Sequence, residues 1–270
     1  MPIIVNKQLG LEKTIQYRLS IQADLNGFSF SIVNDVEKKC HFLFQSEYSL
    51  NYDDMDLFCR NTAKLLTTFP LLSKKFQTVD IIYNTHKFAL IPQKLFKQEE
   101  AYFQVQKLFK IDELDEIDTI EVPNQQMVIA FAVNSTFLNL IKSVQPEFRV
   151  VPSVYQIINN IALFEEHNKI FLQYHKEDVH IIVSEGARVM FCNSFPAFHF
   201  NSVLYYAFLA LKQVQLNQEQ TTVYLSGNFR EDDITNLTKY FPKVKYFRHP
   251  QTILGSSEIE LKYSNLVFAI

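Results

Sequence analysis

Alternating apolar and polar positions define the start of the chain. Residues 19–23 alternate, Asp24-Leu25-Asn26-Gly27 supplies turn-forming residues, and residues 28–32 alternate again. A charged turn then leads to another apolar segment at residues 40–44. The pattern predicts a three-stranded antiparallel meander.

The same pattern returns in the second part of the chain. Apolar segments at residues 170–174, 179–183 and 187–192 are separated by polar turns at residues 176–178 and 185–186. The recurrence predicts a second meander and therefore an internal duplication.

Helical and strand patterns follow each meander in the same order. In the first part they predict a helix that begins near Asp53 and stops at Pro70, then a strand, a helix and a strand at residues 79–83, 99–109 and 127–133. In the second part they predict a helix, a strand, a helix and a strand at residues 202–214, 222–225, 231–240 and 244–247. Such a repeat predicts an α/β fold with mixed sheets and helices packed on them.

The duplication predicts two domains, residues 1–145 and residues 146–270. An apolar segment after Ser153 predicts a helix at about residues 152–166 that joins them. The C-terminal residues 261–270 fit either a helix or a strand.

Composition narrows the function classes. Hydrophobic residues are 47% and charged residues 20% of the chain, which is typical of a packed globular protein, and the net charge of −3 argues against nucleic-acid binding. The sequence shows no signal peptide and no apolar segment long enough for membrane insertion, so we expect a cytoplasmic protein. Cys40, Cys59 and Cys192 are too scattered for a disulfide framework or a zinc site.

The order of elements resembles the actin-like ATPase fold, which is ribonuclease H-like and duplicated. The segment Tyr83-Asn84-Thr85-His86-Lys87-Phe88-Ala89-Leu90-Ile91-Pro92, with the opening Leu19-Ser20-Ile21 strand, also resembles an uncharacterised Bacteroidetes family with that fold. Members of this family carry Phe-x-Leu-hydrophobic-Pro after a strand, and the family has no assigned activity. The resemblance implies two related subdomains around a cleft.

Actin-like ATPases hold phosphates in two hairpin turns that contain Asp and Gly. The first turn here, Asp24 to Gly27, lacks the Asp-x-Gly spacing, and the second, at residues 174–179, has no glycine. The segment that corresponds to the adenosine-binding turn has Gly227 as its one glycine. Only if ATP binds would Asp24, Asn26, Gly27 and Gly227 contact it, with Asp24 positioning a metal-bound water.

Other candidate chemistry is weak. His175 and His180 flank the second hairpin turn and suit metal ligation, yet histidines at a loop more often face solvent. Cys40 and His41 are adjacent on a strand, so their side chains point to opposite faces and do not form a dyad. The acidic run at residues 112–118 is typical of a solvated connection, although it could serve a metal or a basic partner.

These features favour a degenerate actin-like protein that has no catalytic residues, metal or cofactor and binds a protein partner or another copy of itself. Actin-like adaptors that recruit partners to assemblies resemble this description. Two alternatives stay open: a cryptic ATPase that binds ATP and magnesium in the cleft between the halves, and a sensor of a small ligand in that cleft.

Overall fold

The computed structural model of the chain describes residues 2–5, 12–24, 27–37, 39–47, 55–175 and 177–248. Its contacts divide into two compact units. Among the described residues, the first unit holds those up to Glu121 and Val128–Ser153, and the second holds Val122–Met127 and residues 154–248. The predicted division after residue 145 and the predicted cleft stay predictions.

Fourteen strands and six α-helices are present among the described residues. The strands are β1 Pro2–Val5, β2 Arg18–Asp24, β3 Gly27–Asn34, β4 Lys39–Glu47, β5 Thr78–Tyr83, β6 Phe88–Pro92, β7 Asp115–Val122, β8 Met127–Asn134, β9 Arg149–Pro152, β10 Asn168–Tyr174, β11 Asp178–Glu185, β12 Arg188–Pro196, β13 Thr222–Gly227 and β14 Lys243–Tyr246. The helices are α1 Met55–Thr68, α2 Ala101–Gln106, α3 Ser135–Val144, α4 Ser153–Asn160, α5 Phe200–Gln213 and α6 Glu231–Leu237. Short 3-10 helices connect several of them.

The two large sheets share one strand order, which confirms the predicted duplicated mixed fold. The sheet of the first unit runs β1-β4-β3-β2-β5-β9, and the sheet of the second runs β12-β11-β10-β13-β14. In each, the antiparallel meander is followed by two parallel strands. Both predicted meanders are therefore confirmed, and β1 is an additional edge strand in the first unit.

The predicted match between the later elements of the two halves is wrong in the first unit. Residues 99–109 and 127–133 contribute to a separate three-stranded sheet, β6-β8-β7, with α2. Its core is built largely of small side chains, including Ala89, Ala101 and Ala130. The true counterparts of α6 and β14 are α3 and β9, which close the large sheet.

Helix α3 begins at a cap that the sequence analysis missed. The side chain of Asn134 accepts a hydrogen bond from the backbone N–H of Phe137, at 3.1 Å. Phe137 and Ile141 are buried and follow at helical spacing. The sequence pattern did not show where α3 begins, because Asn134 is both the last residue of the apolar strand β8 and the cap of the helix.

The two faces of the second unit's sheet differ in composition. Alternate residues of β10, β11 and β13, such as Leu172, Ile181 and Leu225, form an apolar core with α5. The opposite face carries buried polar groups, among them Gln173 and His180, which lie opposite each other in register. No helix among the described residues is both long enough and apolar enough to span a membrane.

Candidate functional site

The carboxyl edge of the second unit's sheet carries a cavity of about 700 Å³. Strands β10 and β13 run parallel and end together at Tyr174 and Gly227, and helices α5 and α6 begin beside them. The carboxyl edge of parallel strands is where open α/β sheets bind ligands. The cavity is lined by Tyr174, Phe198, His199, Phe200, Asn201, Asn228, Arg230, Asp232, Asp233 and Asn236.

Gly227 brings the two parallel strands into close contact at the cavity floor. Its φ is +93°, and a Cβ atom added there would overlap the carbonyl oxygen of Tyr174 and lie 2.9 Å from its carbonyl carbon. The same oxygen accepts a hydrogen bond from the backbone N–H of Asn228, at 2.8 Å. The glycine is therefore required by packing between neighbouring strands.

The turn between β10 and β11 is closed by its own backbone. The N–H of His175 donates to the carbonyl oxygen of Asp178 at 2.9 Å, and the N–H of Ala197 donates to the carbonyl oxygen of Glu177 at 2.8 Å. A phosphate site in such a turn needs backbone N–H groups that point outward. The N–H of His175 instead serves the turn itself.

The expectation that His175 and His180 face solvent is wrong. His175 is 6% exposed and His180 is 0% exposed, and the centroids of their rings lie 5.4 Å apart. The carboxylate of Asp178 lies 3.9 Å from Nε2 of His180. Within the described ranges, no three His, Cys, Asp or Glu side chains are grouped so that they could hold a metal ion. The two histidines are buried because the hairpin that carries them pairs with other strands of the sheet. The residue types in the turn do not reveal this pairing.

The first hairpin turn is only partly described. Asp24 and Gly27 are opposite each other in register at the ends of β2 and β3, as a two-residue loop requires. Asn26 and the neighbouring Leu25 lie outside the described residues, as does the side chain of Asp24. Contact of Asp24, Asn26 and Gly27 with a nucleotide stays a prediction.

One wall of the cavity is the first turn of α6. The carboxylate of Asp233 accepts a hydrogen bond from the backbone N–H of Arg230 at 3.0 Å, and the guanidinium of Arg230 lies 3.5 Å from both carboxylate oxygens. Burial, together with the negative charge of Asp233, raises the pKa of the Tyr174 hydroxyl. The phenol therefore stays neutral at physiological pH and acts as a polar wall group.

The opposite wall is the start of α5. His199 occupies the N-cap position, and its side chain makes no hydrogen bond to the helix. Phe198, just before it, is 62% exposed. The ring of Phe200 packs edge-on to Phe229, which contacts Tyr174. The sequence alone did not reveal this cavity, because its two walls come from segments about 30 residues apart along the chain. The acidic residues 231–233, which follow an apolar strand, were the one sequence feature that could have indicated it.

Two other predicted features have structural explanations. The thiol of Cys40 donates to the carbonyl oxygen of Phe42 at 3.3 Å, and burial raises its pKa to about 11. The ammonium of Lys87 binds Asp112 at 2.5 Å and Asp115 at 2.7 Å. The acidic run is not simply a solvated connection, because Asp115 begins strand β7.

Comparison with solved structures identifies the fold. A Bacteroides thetaiotaomicron protein with actin-like ATPase fold and unknown function matches with a TM-score of 0.82 at 21% identity, over 97% of this chain and 100% of that one. The PilM-PilN type IV pilus biogenesis complex matches at 0.60 and 12% identity, over 94% and 97%. The ethanolamine utilization protein EutJ from Carboxydothermus hydrogenoformans matches at 0.51 and 9% identity, over 98% and 91%.

The chain therefore has the actin-like ATPase fold, as predicted. A model of the family described as "Protein of unknown function (DUF3822)" matches residues 6–244. A comparison with curated proteins finds no significant match.

The fold implies a site for ATP and magnesium, and the described residues do not fit these ligands. At the turn after β10, the N–H of His175 is bound within the turn. After β13, the Cα of Gly227 faces the backbone of Tyr174, so the absence of a side chain there opens no space for an adenosine. The first of these segments has no glycine to cradle a phosphate, and the glycine of the second is used in packing between strands.

Proposed function

The chain belongs to the family described as "Protein of unknown function (DUF3822)", and we propose that it is a degenerate actin-like protein that acts as a non-catalytic binding module. It binds a protein partner or another copy of itself, and nucleotide hydrolysis is not its activity. The fold alone does not specify this function, because one fold supports many functions.

The close approach of Gly227 to Tyr174 carries this proposal. In a nucleotide-binding turn, glycine leaves room for the ligand, whereas at Gly227 that room is taken by the backbone of the neighbouring strand. The backbone N–H of Asn228, the next residue, donates to the carbonyl oxygen of Tyr174 and is therefore also used within the chain. Both features argue against a nucleotide at this edge and so support a role in binding rather than hydrolysis.

One of the structural neighbours adds support from outside this chain. By its name, the PilM-PilN structure is a complex of two proteins in type IV pilus biogenesis. An actin-like fold of this kind is therefore compatible with an assembly role. The identity of 12% restricts this support to the fold.

Calorimetric titration of the full chain with ATP and magnesium tests the proposal. We expect no saturable heat and no change in melting temperature, because a ligand that binds only the native state must raise that temperature. Saturable micromolar binding that is lost in Asp24→Ala would overturn the proposal and support the cryptic ATPase. An Asp56→Ala variant, at an exposed position of α1 in the same unit, is the matched control.

The cavity in the second unit favours a second candidate, a sensor of a small ligand. Its volume of about 700 Å³ is within the range of small-molecule sites. A thermal-shift screen of uncharged and cationic metabolites tests this candidate. A stabilising compound whose effect disappears in Asn201→Ala would favour the sensor over the protein-binding module.

A further inference from the structure

The cavity in the second unit continues onto an exposed face of α5. Asn201 lines the cavity, and Tyr205 and Leu209 follow it at intervals of four residues on the same helix. Tyr205 is 62% and Leu209 41% exposed, and Phe198 at the cavity rim is 62% exposed. An apolar ridge therefore extends from the cavity along the helix for about 12 Å, at 1.5 Å per residue.

The polar groups of the cavity match those of a peptide backbone. The side chains of Asn201 and Asn228 are exposed, and each carries both a hydrogen-bond donor and an acceptor, as a peptide group does. Helix α5 begins in the wall without a side-chain cap. The N–H of Ser202 donates to the carbonyl oxygen of His199 at 2.9 Å, whereas the N–H groups of Phe200 and Asn201 suit carbonyl acceptors of a ligand. A ligand with alternating N–H and C=O groups satisfies both sets.

The charge of the wall favours a cation. The guanidinium of Arg230 is balanced by the buried carboxylate of Asp233. Asp232 is exposed on the cavity wall and makes no ion pair among the residues that the structure describes. The cavity lining therefore holds two carboxylates, those of Asp232 and Asp233, against the one guanidinium of Arg230, so a Lys or Arg side chain is attracted and a phosphate is repelled.

We propose that this surface, the cavity with the Phe198, Tyr205 and Leu209 ridge, binds an extended peptide segment of a partner protein. A basic side chain of the segment enters the cavity beside Asp232, and apolar side chains lie on the ridge. About four extended residues, at roughly 3.3 Å each, match the length of the ridge. This inference rests on the proposed binding function and names the class of its partner.

Panning a phage-displayed library of random peptides on the immobilised full chain tests the proposal. We expect an enriched consensus with a Lys or Arg close to aromatic or aliphatic residues. The synthetic consensus peptide is then titrated by fluorescence anisotropy. Its affinity should fall at least about tenfold in Asp232→Lys and in Tyr205→Ser, because a buried charge contact and an aromatic anchor dominate such interfaces.

Tyr102→Ser is the matched control, because Tyr102 is an exposed tyrosine on α2 in the first unit. Its affinity for the peptide should stay within about twofold of the unchanged chain. All three substitutions are at exposed positions, so equal melting temperatures confirm that each variant is folded. Failure to enrich a consensus, an acidic consensus, or a peptide that binds Asp232→Lys and Tyr205→Ser normally would overturn the proposal.

The outcomes separate this inference from the proposed function. Titration with ATP and magnesium that gives no heat, together with failed panning, removes the peptide partner and leaves a module for a folded partner or a second copy. Saturable ATP binding removes the binding-module proposal itself. Displacement of the consensus peptide by ATP would also overturn the peptide site as a dedicated one.

Discussion

The carbonyl oxygen of Tyr174 occupies the position that the Cβ of any other residue at 227 would take, so Gly227 and Tyr174 lock the ends of β13 and β10 together. The contact lies between two backbones, which cannot move aside as a flexible side chain can. It places the loop after β13, and with it Asn228 and the first turn of α6, at the cavity.

Gly227→Ala is expected to destabilise the protein strongly. A left-handed backbone conformation alone costs a residue other than glycine about 1–3 kcal/mol, and the overlap with Tyr174 adds to it. Urea unfolding gives the free energy of unfolding. Gly186→Ala is the control, since Gly186 also has a positive φ of +55° but its nearest neighbours lie 3.8 Å away or more. Equal losses for the two variants would contradict the assignment.

Lys169→Met is expected to cost several kcal/mol of stability. The buried ammonium of Lys169 donates to the carbonyl oxygens of Phe164 at 3.0 Å, Glu166 at 2.5 Å and Gly186 at 2.7 Å. Met has a similar length and no donor, so one buried acceptor and two partly buried acceptors lose their partner. A buried acceptor left unpaired costs roughly 1–3 kcal/mol, and a partly buried one costs less. Differential scanning calorimetry measures the loss.

Lys239→Met provides the comparison for Lys169, because Lys239 is exposed and its ammonium donates to the side chain of Asn236, its one side-chain partner among the described residues. We expect a change of less than about 0.5 kcal/mol there. If both variants melt at the same temperature, the three carbonyl contacts of Lys169 do not stabilise the fold.

Glu166 makes stability depend on pH on the acid side. Burial alone raises the pKa of its carboxyl group, but hydrogen bonds from Lys245 and Tyr224 outweigh burial and hold the pKa below its usual value. Because the folded pKa is lowered, the stabilisation is complete above the unfolded value of about 4.3 and is lost as pH falls through the folded pKa.

Glu166→Gln should therefore lower stability near neutral pH and flatten its decline in acid. Urea midpoints between pH 3 and 7 measure both effects. Glu165→Gln is the adjacent control, and its pH profile should follow that of the unchanged chain. A Glu166→Gln profile as steep as the original would show that another group titrates.

The three cysteines should resist alkylation in the native protein at about pH 8. Cys40 and Cys59 are buried, and burial raises the pKa of Cys40 to about 11 and also raises that of Cys59. Cys192 on β12 is partly exposed, and desolvation raises its pKa as well. The thiolate is the reactive form, so its fraction is small at this pH. Iodoacetamide labelling followed by intact mass spectrometry should show no modified thiols within minutes in buffer and three in urea. Rapid labelling of Cys40 or Cys59 in buffer would contradict its burial.

Local patterns determined much of this fold. Alternation predicted both meanders, and helical spacing predicted α1 and α5, because the period of apolar residues follows directly from strand and helix geometry. The recurrence of the pattern identified the duplication and, with the segment around Phe88, the family.

Tertiary structure decided what local patterns could not. Residues 99–109 and 127–133 resembled the regular repeat, but they form α2 and a strand of the separate three-stranded sheet. Local patterns did not show this, because strand pairing depends on partners far along the chain. His175 and His180 are buried through pairing of β10 with β11, and Gly227 is constrained by Tyr174 more than 50 residues earlier. Local patterns therefore determined the two meanders and the helices α1 and α5, but not α3, β9 or the three-stranded sheet. The cavity arose only when the carboxyl ends of distant strands and the starts of α5 and α6 met at one edge of the sheet.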